Sequence, residues 1–192
     1  MTNNLPGIFL LLPFFGAVLT FLFPGRVQTV IGVFTTVLVL ASALALAAKV
    51  YFQGPMQVAL GGWPQPLGIG MHIDGLSVLF ILLTSFIGLL VCLYSRTYFL
   101  LPSHQRQGPH FWPLYLLLLG ALNALFCTAD IFNTYVLLEL LGISAAALAA
   151  LSGDLSSLTA ALRYFLVALA GSLAFLLGIS FIYAQTGTLD FP

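Results

Sequence analysis

Most of this chain consists of apolar runs, each long enough to cross a lipid bilayer as a helix. A membrane-spanning helix needs about 20 mostly apolar residues, and prolines, glycines and charged side chains divide the sequence into six such runs. Only 5% of the residues are charged and 61% are hydrophobic, whereas a soluble domain has about 25% charged residues. We therefore predict an all-α integral membrane protein, with residues 1–192 forming one transmembrane domain. The predicted spans cover about residues 5–23, 27–50, 75–95, 111–128, 130–151 and 160–184.

The segment between the second and third predicted spans, residues 51–73, differs from the rest in composition. Its glycines, its prolines and Trp63 are typical of an ordered turn at the membrane interface and disfavour a helix. Asp74 follows directly and is placed to cap the first turn of the third span. The first apolar run has no basic segment before it and no small-residue cleavage pattern after it, so we expect it to be retained.

The basic residues are distributed unevenly between the two ends of the predicted spans. Counting alternately along six spans places Lys49 alone on one side and four arginines on the other, Arg26, Arg96, Arg106 and Arg163. Because basic residues accumulate on the cytoplasmic side, the arginine-bearing side is predicted to be cytoplasmic. Both termini and the interface turn are then predicted to face outward, an N-out and C-out topology. The formal net charge of +0 leaves no basic surface for nucleic acid.

Cysteine and histidine often bind metals, and here their spacing does not favour a metal site. Cys92 and Cys127 both fall inside apolar runs, where a thiol behaves as a small hydrophobic side chain. His104 and His110 lie in a segment rich in turn-forming residues, which favours a solvated loop over metal binding. The glycine-rich stretches lack the strand-to-helix context of nucleotide-binding motifs. We therefore predict no metal, flavin, iron–sulfur or nucleotide cofactor, and no catalytic residues acting within this chain alone.

A single carboxylate, Glu139, lies near the middle of the fifth predicted span. An ionisable side chain at that depth costs roughly 3 kcal/mol on insertion scales, so it is seldom there without a polar neighbour or a function. The positions three, four and seven residues further on, Gly142, Ile143 and Ala146, share its helix face. Two of these are small and would let another helix approach closely. We therefore expect Glu139 to face protein or internal water and not lipid.

Glu139 and Arg163 together are consistent with proton exchange. A buried carboxyl group favours its neutral form, whereas a nearby cation favours the ionised form. A membrane glutamate with a cationic neighbour that approaches and retreats can therefore take up and release a proton. Arg163 is the cation within reach, and its backbone is expected on the order of 10 Å closer to the cytoplasm than that of Glu139. Because arginine hardly ever loses its proton, we assign proton exchange to Glu139 and an electrostatic role to Arg163.

Simpler explanations exist for each of these residues. Glu139 could be held permanently neutral by a backbone carbonyl and only pack helices together, and Arg163 could be a cytoplasmic anchor. Asp130 is expected to be a helix-start residue and not an ion ligand. Polar groups that could carry a line of hydrogen-bonded water, although most are expected to be ordinary hydrogen bonders between helices, are Asn123, Asn133, Thr134, Tyr135, Ser144, Tyr164 and Ser172. The candidate path for protons uses Asn133, Tyr135, Ser144 and Tyr164.

Five segments of the chain resemble one family of membrane proteins. Residues 130–139, DIFNTYVLLE, resemble the fifth-helix signature of the D component of Mrp-type cation/proton antiporters and of the antiporter-like subunits of complex I and membrane-bound hydrogenases. Residues 60–69, LGGWPQPLGI, followed by residues 74–77, DGLS, are most similar to the Mrp D component. Residues 162–165, LRYF, and 171–189, GSLAFLLGISFIYAQTGTL, complete a resemblance that covers nearly the whole chain. The combination of these motifs is specific, whereas no single one would suffice.

The resemblance implies a proton-translocating subunit in which Glu139 matches the family's key glutamate in the fifth helix. Arg163 takes the position at which the family usually has a lysine in the sixth helix, and arginine cannot exchange a proton as lysine does. Family members have about fourteen helices in two inverted five-helix repeats, a common layout of transporters, whereas this chain is predicted to have six. Either a separate chain supplies the later helices or this one does not conduct.

The leading hypothesis is a shortened Mrp-D-like subunit that contributes Glu139 to a proton path in a multi-subunit cation/proton antiporter or complex I-like complex. Its implied partners are other membrane subunits, including a chain with the later helices, and protons exchanged for Na⁺ or K⁺. The alternatives are a non-conducting structural subunit and a membrane subunit of a redox-driven, ion-pumping oxidoreductase of the NADH:quinone oxidoreductase or hydrogenase kind. The implied location is the cell membrane of a bacterium or archaeon.

Overall fold

The computed structural model describes residues 5–60, 69–102, 104 and 106–189, with Leu60 and Ile69 described by their backbone alone. This part of the chain forms six helices, α1 (Leu5–Leu22), α2 (Arg26–Gln53), α3 (Gly75–Tyr98), α4 (Gly108–Leu125), α5 (Ile131–Ala149) and α6 (Leu155–Thr186). Two short strands, β1 (Met56–Leu60) and β2 (Ile69–Ile73), lie between α2 and α3. The predicted all-α membrane fold is confirmed.

Five of the described helices, α1, α2, α3, α5 and α6, are long and apolar enough to cross a membrane. The remaining helix, α4, has 18 residues, and its first turns carry Pro109, His110 and Pro113, which make it less apolar. Ten of those 18 residues are buried, the largest share in any described helix. The chain is therefore a multi-pass membrane protein, and the residues at which each helix enters the bilayer stay a prediction.

Helices α1 to α4 pack against one another, with α1 against both α2 and α4, and α2 against α3. Their shared core contains Phe9, Leu46 and Ile81, which are fully buried. Close packing requires a glycine at one point, because a Cβ at Gly32 of α2 would lie 2.3 Å from Cε3 of Trp112. Helix α5 packs on α4, and α6 packs on α5. The helices thus form a group of four. Helix α5 packs on this group through α4, and α6 packs on α5.

Two helix starts follow the sequence prediction. Asp74 Oδ1 accepts a hydrogen bond from the backbone N–H of Ser77 at 2.8 Å and caps α3. Asp130 Oδ1 accepts a hydrogen bond from the backbone N–H of Asn133 at 3.1 Å and caps α5. Such bonds satisfy backbone donors that the first turn of a helix leaves unpaired. The predicted role of Asp130 as a helix-start residue is therefore confirmed.

The sixth helix begins about five residues earlier than the sequence predicts, directly after Asp154. Asp154 Oδ2 accepts a hydrogen bond from the backbone N–H of Ser157 at 3.0 Å. Hydroxyl groups of Ser152 and Ser156 also donate to this carboxylate and hold its pKa well below the usual range. Several hydroxyl residues in this turn could serve as caps. Asp154 is the cap because several hydrogen-bond donors reach its carboxylate.

The turn-rich segment between α2 and α3 contains a β-hairpin that the sequence analysis did not predict. β1 and β2 pair in antiparallel fashion. β2 also forms backbone hydrogen bonds with the connection between α4 and α5. The His72 N–H donates to Cys127 O at 2.9 Å, and the Ala129 N–H donates to Gly70 O at 3.1 Å. These non-local bonds hold the strand in place, and turn composition cannot reveal them. Trp63, on which the predicted interface turn depended, lies outside the described residues.

Candidate functional site

Glu139 lies near the middle of α5, on the side that faces α6. It is half-buried and lines a partly open groove of about 310 Å³ between the two helices. The groove is lined by Tyr135, Leu138, Glu139, Leu141, Gly142 and Ile143 of α5 and by Tyr164, Phe165, Ala168, Leu169, Gly171, Ser172 and Phe175 of α6. Glu139 therefore has α6 on one side, and the partly open groove leaves its other side uncovered within the described residues.

The groove is mostly apolar around the Glu139 carboxylate. The other polar side chains that line it are those of Tyr135, Tyr164 and Ser172. Within the described ranges, the Glu139 carboxylate has no hydrogen-bond or ion-pair partner. The bond to a backbone carbonyl that a purely packing role would use is therefore not made by the described part of this chain.

Two glycines keep the groove open. A Cβ placed on Gly142 or on Gly171 would meet nothing within 4 Å. Gly142 was expected to let a second helix approach closely, and within the described part of this chain no helix does so. Ala146, on the same face of α5, is buried at 8% exposure, whereas Ile143 is 49% exposed. The face that carries Glu139 is thus covered at one end and open at the other.

Arg163 lies on α6 but does not line the groove. Its side chain is exposed, and it precedes the groove-lining Ala168 by five residues. At 1.5 Å of rise per residue, this places the Arg163 backbone roughly 8 Å toward the start of α6. Tyr164 and Phe165, which directly follow Arg163, also line the groove, so the separation of Arg163 from Glu139 stays a prediction. The structure therefore puts Arg163 beside the groove and does not bring it into contact with Glu139.

The candidate proton path divides into two pairs. Tyr135 and Tyr164 line the groove with Glu139. Asn133 and Ser144 do not line it. The Asn133 amide donates to Thr128 Oγ1 at 2.9 Å, and the Ser144 hydroxyl donates to Leu140 O at 2.7 Å. The second pair therefore forms local hydrogen bonds of the ordinary kind, and a path through all four residues is not continuous in this structure.

The aromatic walls of the groove were missed by sequence reasoning. Phe165 and Phe175 of α6 line it, one at each end of its α6 side. A signal was present, because Tyr164, Ala168 and Ser172 recur at intervals of four residues and share one helix face. That spacing predicts a face of α6 but does not say which neighbour it meets. The neighbour is decided by the packing of α6 on α5.

Histidines and cysteines lie away from the groove. The His104 ring stacks on Tyr98 with ring centroids 4.2 Å apart, and His110 is exposed in the first turn of α4. Cys92 and Cys127 are buried free thiols, as predicted for small hydrophobic side chains. In the part of the chain that the structure describes, no three histidine, cysteine or acidic side chains are grouped as metal ligands.

Two family profiles match parts of the chain. The family described as NADH:quinone oxidoreductase/Mrp antiporter, transmembrane, matches residues 128–192. The family described as the N-terminus of NADH-ubiquinone oxidoreductase (complex I) chain 5 matches residues 65–104. The first match contains Glu139, Arg163 and both walls of the groove. The candidate site therefore lies within the part of the chain that resembles the transmembrane family.

Curated relatives match almost the whole chain. The D component of the Na⁺/H⁺ antiporter of Alkalihalophilus pseudofirmus is 34% identical over 190 residues, which is 98% of this chain and 38% of the relative. The N component of NADH-quinone oxidoreductase of Desulforudis audaxviator is 36% identical over 199 residues, which is 99% of this chain and 38% of the relative. The chain thus spans 38% of the length of each of these two relatives.

Solved structures share the arrangement of helices. A chain of the membrane-bound sulfane sulfur reductase, an archaeal respiratory membrane complex, is 29% identical with a TM-score of 0.88, covering 98% of this chain and 39% of that one. A chain of the Mrp complex from Dietzia sp. has the same fold at 23% identity and a TM-score of 0.80, covering 99% of this chain and 36% of that one. Fold and groove define a membrane protein of the antiporter-like class.

The family follows from the profiles and relatives together. The chain belongs to the antiporter-like family that includes the D components of Mrp antiporters and the antiporter-like subunits of complex I, and it corresponds to the N-terminal part of that family's chain. The family predicted from the combination of the five segments is confirmed.

Proposed function

We propose that this chain is a proton-translocating, Mrp-D-like subunit of a multi-subunit membrane complex, either a cation/proton antiporter or a complex I-like assembly. The observation that carries the proposal is Glu139, a half-buried carboxylate in an apolar groove between two membrane helices. The names of the relatives, one a component of a Na⁺/H⁺ antiporter and one of an NADH-quinone oxidoreductase, support a role in ion translocation. Because the chain spans only part of these relatives, we assign it one portion of the path.

In this proposal Glu139 takes up and releases the proton. Water or a cation that enters the groove reaches this carboxyl group, and water can accept the proton from it or return the proton to it. The space over Gly142 and Gly171 is where such a group would enter. Tyr135, Tyr164 and Ser172 supply hydroxyl groups that can orient water beside the carboxylate. The alternation between a dry and an occupied groove then moves one proton on and off Glu139.

Arg163 has an electrostatic role in this proposal. Its guanidinium stays protonated at every accessible pH, so it cannot pass a proton to Glu139. Its fixed positive charge lies toward the start of α6, on the side predicted to be cytoplasmic. There it stabilises negative charge in the groove and disfavours a cation at that end. A lysine at this position would supply the same charge, so Arg163→Lys should retain most of the coupled activity and Arg163→Gln should not.

Solved relatives that are chains of membrane complexes support the assignment of partner subunits, and α6 offers a surface for them. Among the described residues of α6 only Ala161 and Ile179 are buried. Large apolar side chains face outward, with Val167 at 75% and Phe181 at 63% exposure. We assign other membrane subunits to this surface, including a chain that carries the later helices of the longer relatives. The exchanged species are protons and Na⁺ or K⁺, and the membrane is the bacterial or archaeal cell membrane.

The decisive experiment replaces Glu139 with glutamine in the assembled complex. Glutamine keeps the size of the side chain and cannot exchange a proton, so we expect Glu139→Gln to abolish ion-coupled activity while the complex still assembles. Glu139→Asp keeps the carboxyl group and should retain part of the activity. Ser42→Ala, on α2 and outside the groove, where the hydroxyl donates to Leu38 O at 2.8 Å, is the matched control and should change neither. Full coupling in the Glu139→Gln complex would instead support the non-conducting, structural subunit.

A redox-driven complex is the second candidate. The observation that favours it is the TM-score of 0.88 to a chain of a respiratory membrane complex, at higher identity than that to the Mrp complex. In that case the redox chemistry lies on other chains, and Glu139 keeps the same proton-exchange role. Mass spectrometry of the chains that co-purify with this protein separates the two. Co-purifying iron–sulfur or flavin subunits would assign it to a redox complex, and further Mrp-type subunits would assign it to an antiporter.

A further inference from the structure

Three arginines lie at the end of the four-helix group where α2 and α4 begin and α3 ends. Arg26 is the first residue of α2, Arg96 lies in the last turn of α3, and Arg106 precedes α4 by two residues. The side chains of all three are exposed. Among the described residues, none of them forms an ion pair with a carboxylate. Three positive charges are therefore uncompensated at this end, which we call the arginine end.

A buried side chain holds the starts of α2 and α4 together. Gln28 is 3% exposed, and its Nε2 donates a hydrogen bond to Pro109 O at 2.7 Å. The usual helical donor to that carbonyl is missing, because the residue four positions on is Pro113, which lacks a backbone N–H. Arg26 lies two residues before Gln28. Arg106 lies three residues before Pro109, so this hydrogen bond brings the backbones of the two arginines to one corner of the molecule.

The end of α3 meets the same corner. A Cβ at Gly108 would lie 3.3 Å from Phe99 Cβ, and the rings of Phe99 and Phe111 have centroids 4.8 Å apart. Arg96 lies three residues before Phe99, about one helical turn back. The three arginines are thus carried by three chain segments that contact one another, and their long, flexible side chains can reach one ligand.

Aromatic and apolar side chains surround the arginine end. The rings of Tyr94 and Tyr98 stack with centroids 5.7 Å apart, and the His104 ring stacks on Tyr98 at 4.2 Å. Tyrosine is enriched at the level of the lipid headgroups. Further along the same two helices, large apolar side chains are exposed, among them Val30 of α2 at 67% and Leu93 of α3 at 47%. The positive charge therefore borders an apolar surface.

We propose that the arginine end binds the phosphate of one anionic phospholipid. The guanidinium group keeps its charge and presents N–H donors in a plane that matches phosphate. Each basic residue near a membrane surface raises the affinity for anionic lipid about fivefold. A phospholipid supplies both an anion and apolar tails, whereas a free phosphate ion or an acidic protein segment matches the charge alone. The lipid is therefore the ligand that fits the arginines and the apolar surface together.

The bound lipid stabilises the four-helix group. Like charges repel, and the anion compensates the three positive charges that the packing of α2, α3 and α4 brings together. None of the three arginines lines the groove that contains Glu139. The lipid site therefore does not depend on the proposed proton exchange, and the two proposals can fail separately.

Native mass spectrometry of the intact protein tests the site. The protein is released from detergent that contains equal amounts of dioleoyl-phosphatidylglycerol and dioleoyl-phosphatidylcholine, and we expect the wild type to retain one phosphatidylglycerol in preference to phosphatidylcholine. Arg26→Gln, Arg96→Gln and Arg106→Gln should each weaken this retention about fivefold, and lysine at the same positions should preserve most of it. Lys49→Gln removes a basic residue near the opposite end of α2; this matched control should retain the lipid as the wild type does.

Three results of this measurement would overturn the proposal. Equal retention of the two lipids by the wild type would show that no anionic lipid is preferred. Several retained phosphatidylglycerols, each lost in a different arginine variant, would show separate contacts in place of one shared phosphate. An equal loss in Lys49→Gln would show a general effect of charge.

Thermal unfolding in detergent distinguishes a lipid from a soluble anion. Phosphatidylglycerol should raise the Tm of the wild type, and the rise should be absent when all three arginines are replaced by glutamine. Without added lipid, the triple variant should unfold no earlier than the wild type, because its charges no longer repel. Sodium phosphate should leave the Tm of the wild type unchanged. A rise with sodium phosphate as large as that with the lipid would show a soluble anion in the site and refute the assignment of a lipid.

Discussion

The four-helix group α1–α4 and the pair α5–α6 use the same small residue in opposite ways. In the first region a Cβ at Gly32 would lie 2.3 Å from Trp112 and one at Gly16 would lie 2.4 Å from Thr35 Cγ2. In the second region a Cβ at Gly142 would meet nothing within 4 Å. Glycine therefore lies in a tight contact between helices in one region and beside an open groove in the other.

The difference separates a densely packed part of the molecule from the part in which we propose that proton exchange takes place. The four-helix group buries its largest side chains, such as Trp112 and Phe9, almost completely. The α5–α6 pair presents an apolar surface on α6 and holds its one carboxylate, Glu139, in a partly open groove. A group whose charge changes needs access to water or to a partner, and a closed core excludes both. The predictions below contrast the two regions.

The largest effect on stability is expected for Trp112→Ala. Trp112 is 1% exposed in the core of the four-helix group, and truncation of a buried aromatic side chain costs about 3–5 kcal/mol. The matched change in the other region is Phe181→Ala, because Phe181 is 63% exposed on α6. We expect the free energy of unfolding of that variant to lie within about 0.5 kcal/mol of the wild-type value. Denaturant unfolding in detergent compares them, and a similar loss in both would contradict the division into two regions.

A smaller effect is expected for Gly32→Ala. The new methyl group would overlap the Trp112 ring, and overpacking of this kind costs about 1–3 kcal/mol. Gly142→Ala is the matched control, since its methyl group has open space. That variant should be unchanged or more stable by roughly 0.5–1 kcal/mol, because alanine favours a helix over glycine. Equal losses of stability in the two variants would show that the groove is as tightly packed as the core.

The polar residues give a functional contrast. Tyr164→Phe removes a hydroxyl group from the groove, and we expect the coupled transport rate to fall several-fold, as for the loss of about 1 kcal/mol of hydrogen bonding. Ser144→Ala removes a hydroxyl that donates to Leu140 O at 2.7 Å outside the groove, and should leave the rate unchanged. The rate is measured in proteoliposomes with the assembled complex. If the transport rate fell in Ser144→Ala and not in Tyr164→Phe, the result would instead support the continuous path that the sequence predicted.

The smallest effect concerns the start of α6 at low pH. Donors from Ser152, Ser156 and Ser157 hold the pKa of Asp154 well below its usual range. A carboxyl group with a lowered folded-state pKa stabilises the fold above its ordinary value of about 3.9, and the contribution is lost as the pH falls further. The protection of the amides in the first turn of α6, taken relative to the intrinsic exchange rate at each pH, should therefore fall below about pH 4. In Asp154→Asn this acid-induced change should be absent; its persistence would assign the effect to another group.

Local features of the fold were predictable, and the reason is their short range. The helices coincide with apolar runs, and Asp74 and Asp130 cap the helices that follow them, because a cap needs only residues within one turn. The start of α6 was misplaced because several hydroxyl residues compete there. The hairpin was missed because β2 is held by Cys127 and Ala129, which are distant in sequence.

The candidate site was predictable in part. Glu139 stands out because a lone carboxylate in an apolar run is costly and rare. Tyr135 and Tyr164 were selected together with Asn133 and Ser144, and only the first pair lines the groove. Polarity alone could not separate the pairs, because each residue type serves both purposes. The separation depends on the rotation of α5 and α6 about their axes, which is set by packing.

By itself the sequence determined the class of the protein, the six helices of the described residues and two of their starts, since these depend on hydrophobicity and on contacts within one helical turn. Tertiary structure alone decided that Gly32 lies in a tight contact while Gly142 lies beside an open groove, that Arg163 lies beside that groove, and that Thr84 of α3 bonds to Asn123 of α4. These properties depend on which helix faces which and at what height. Such relations between distant residues are set by the sum of all packing contacts, which no single segment contains.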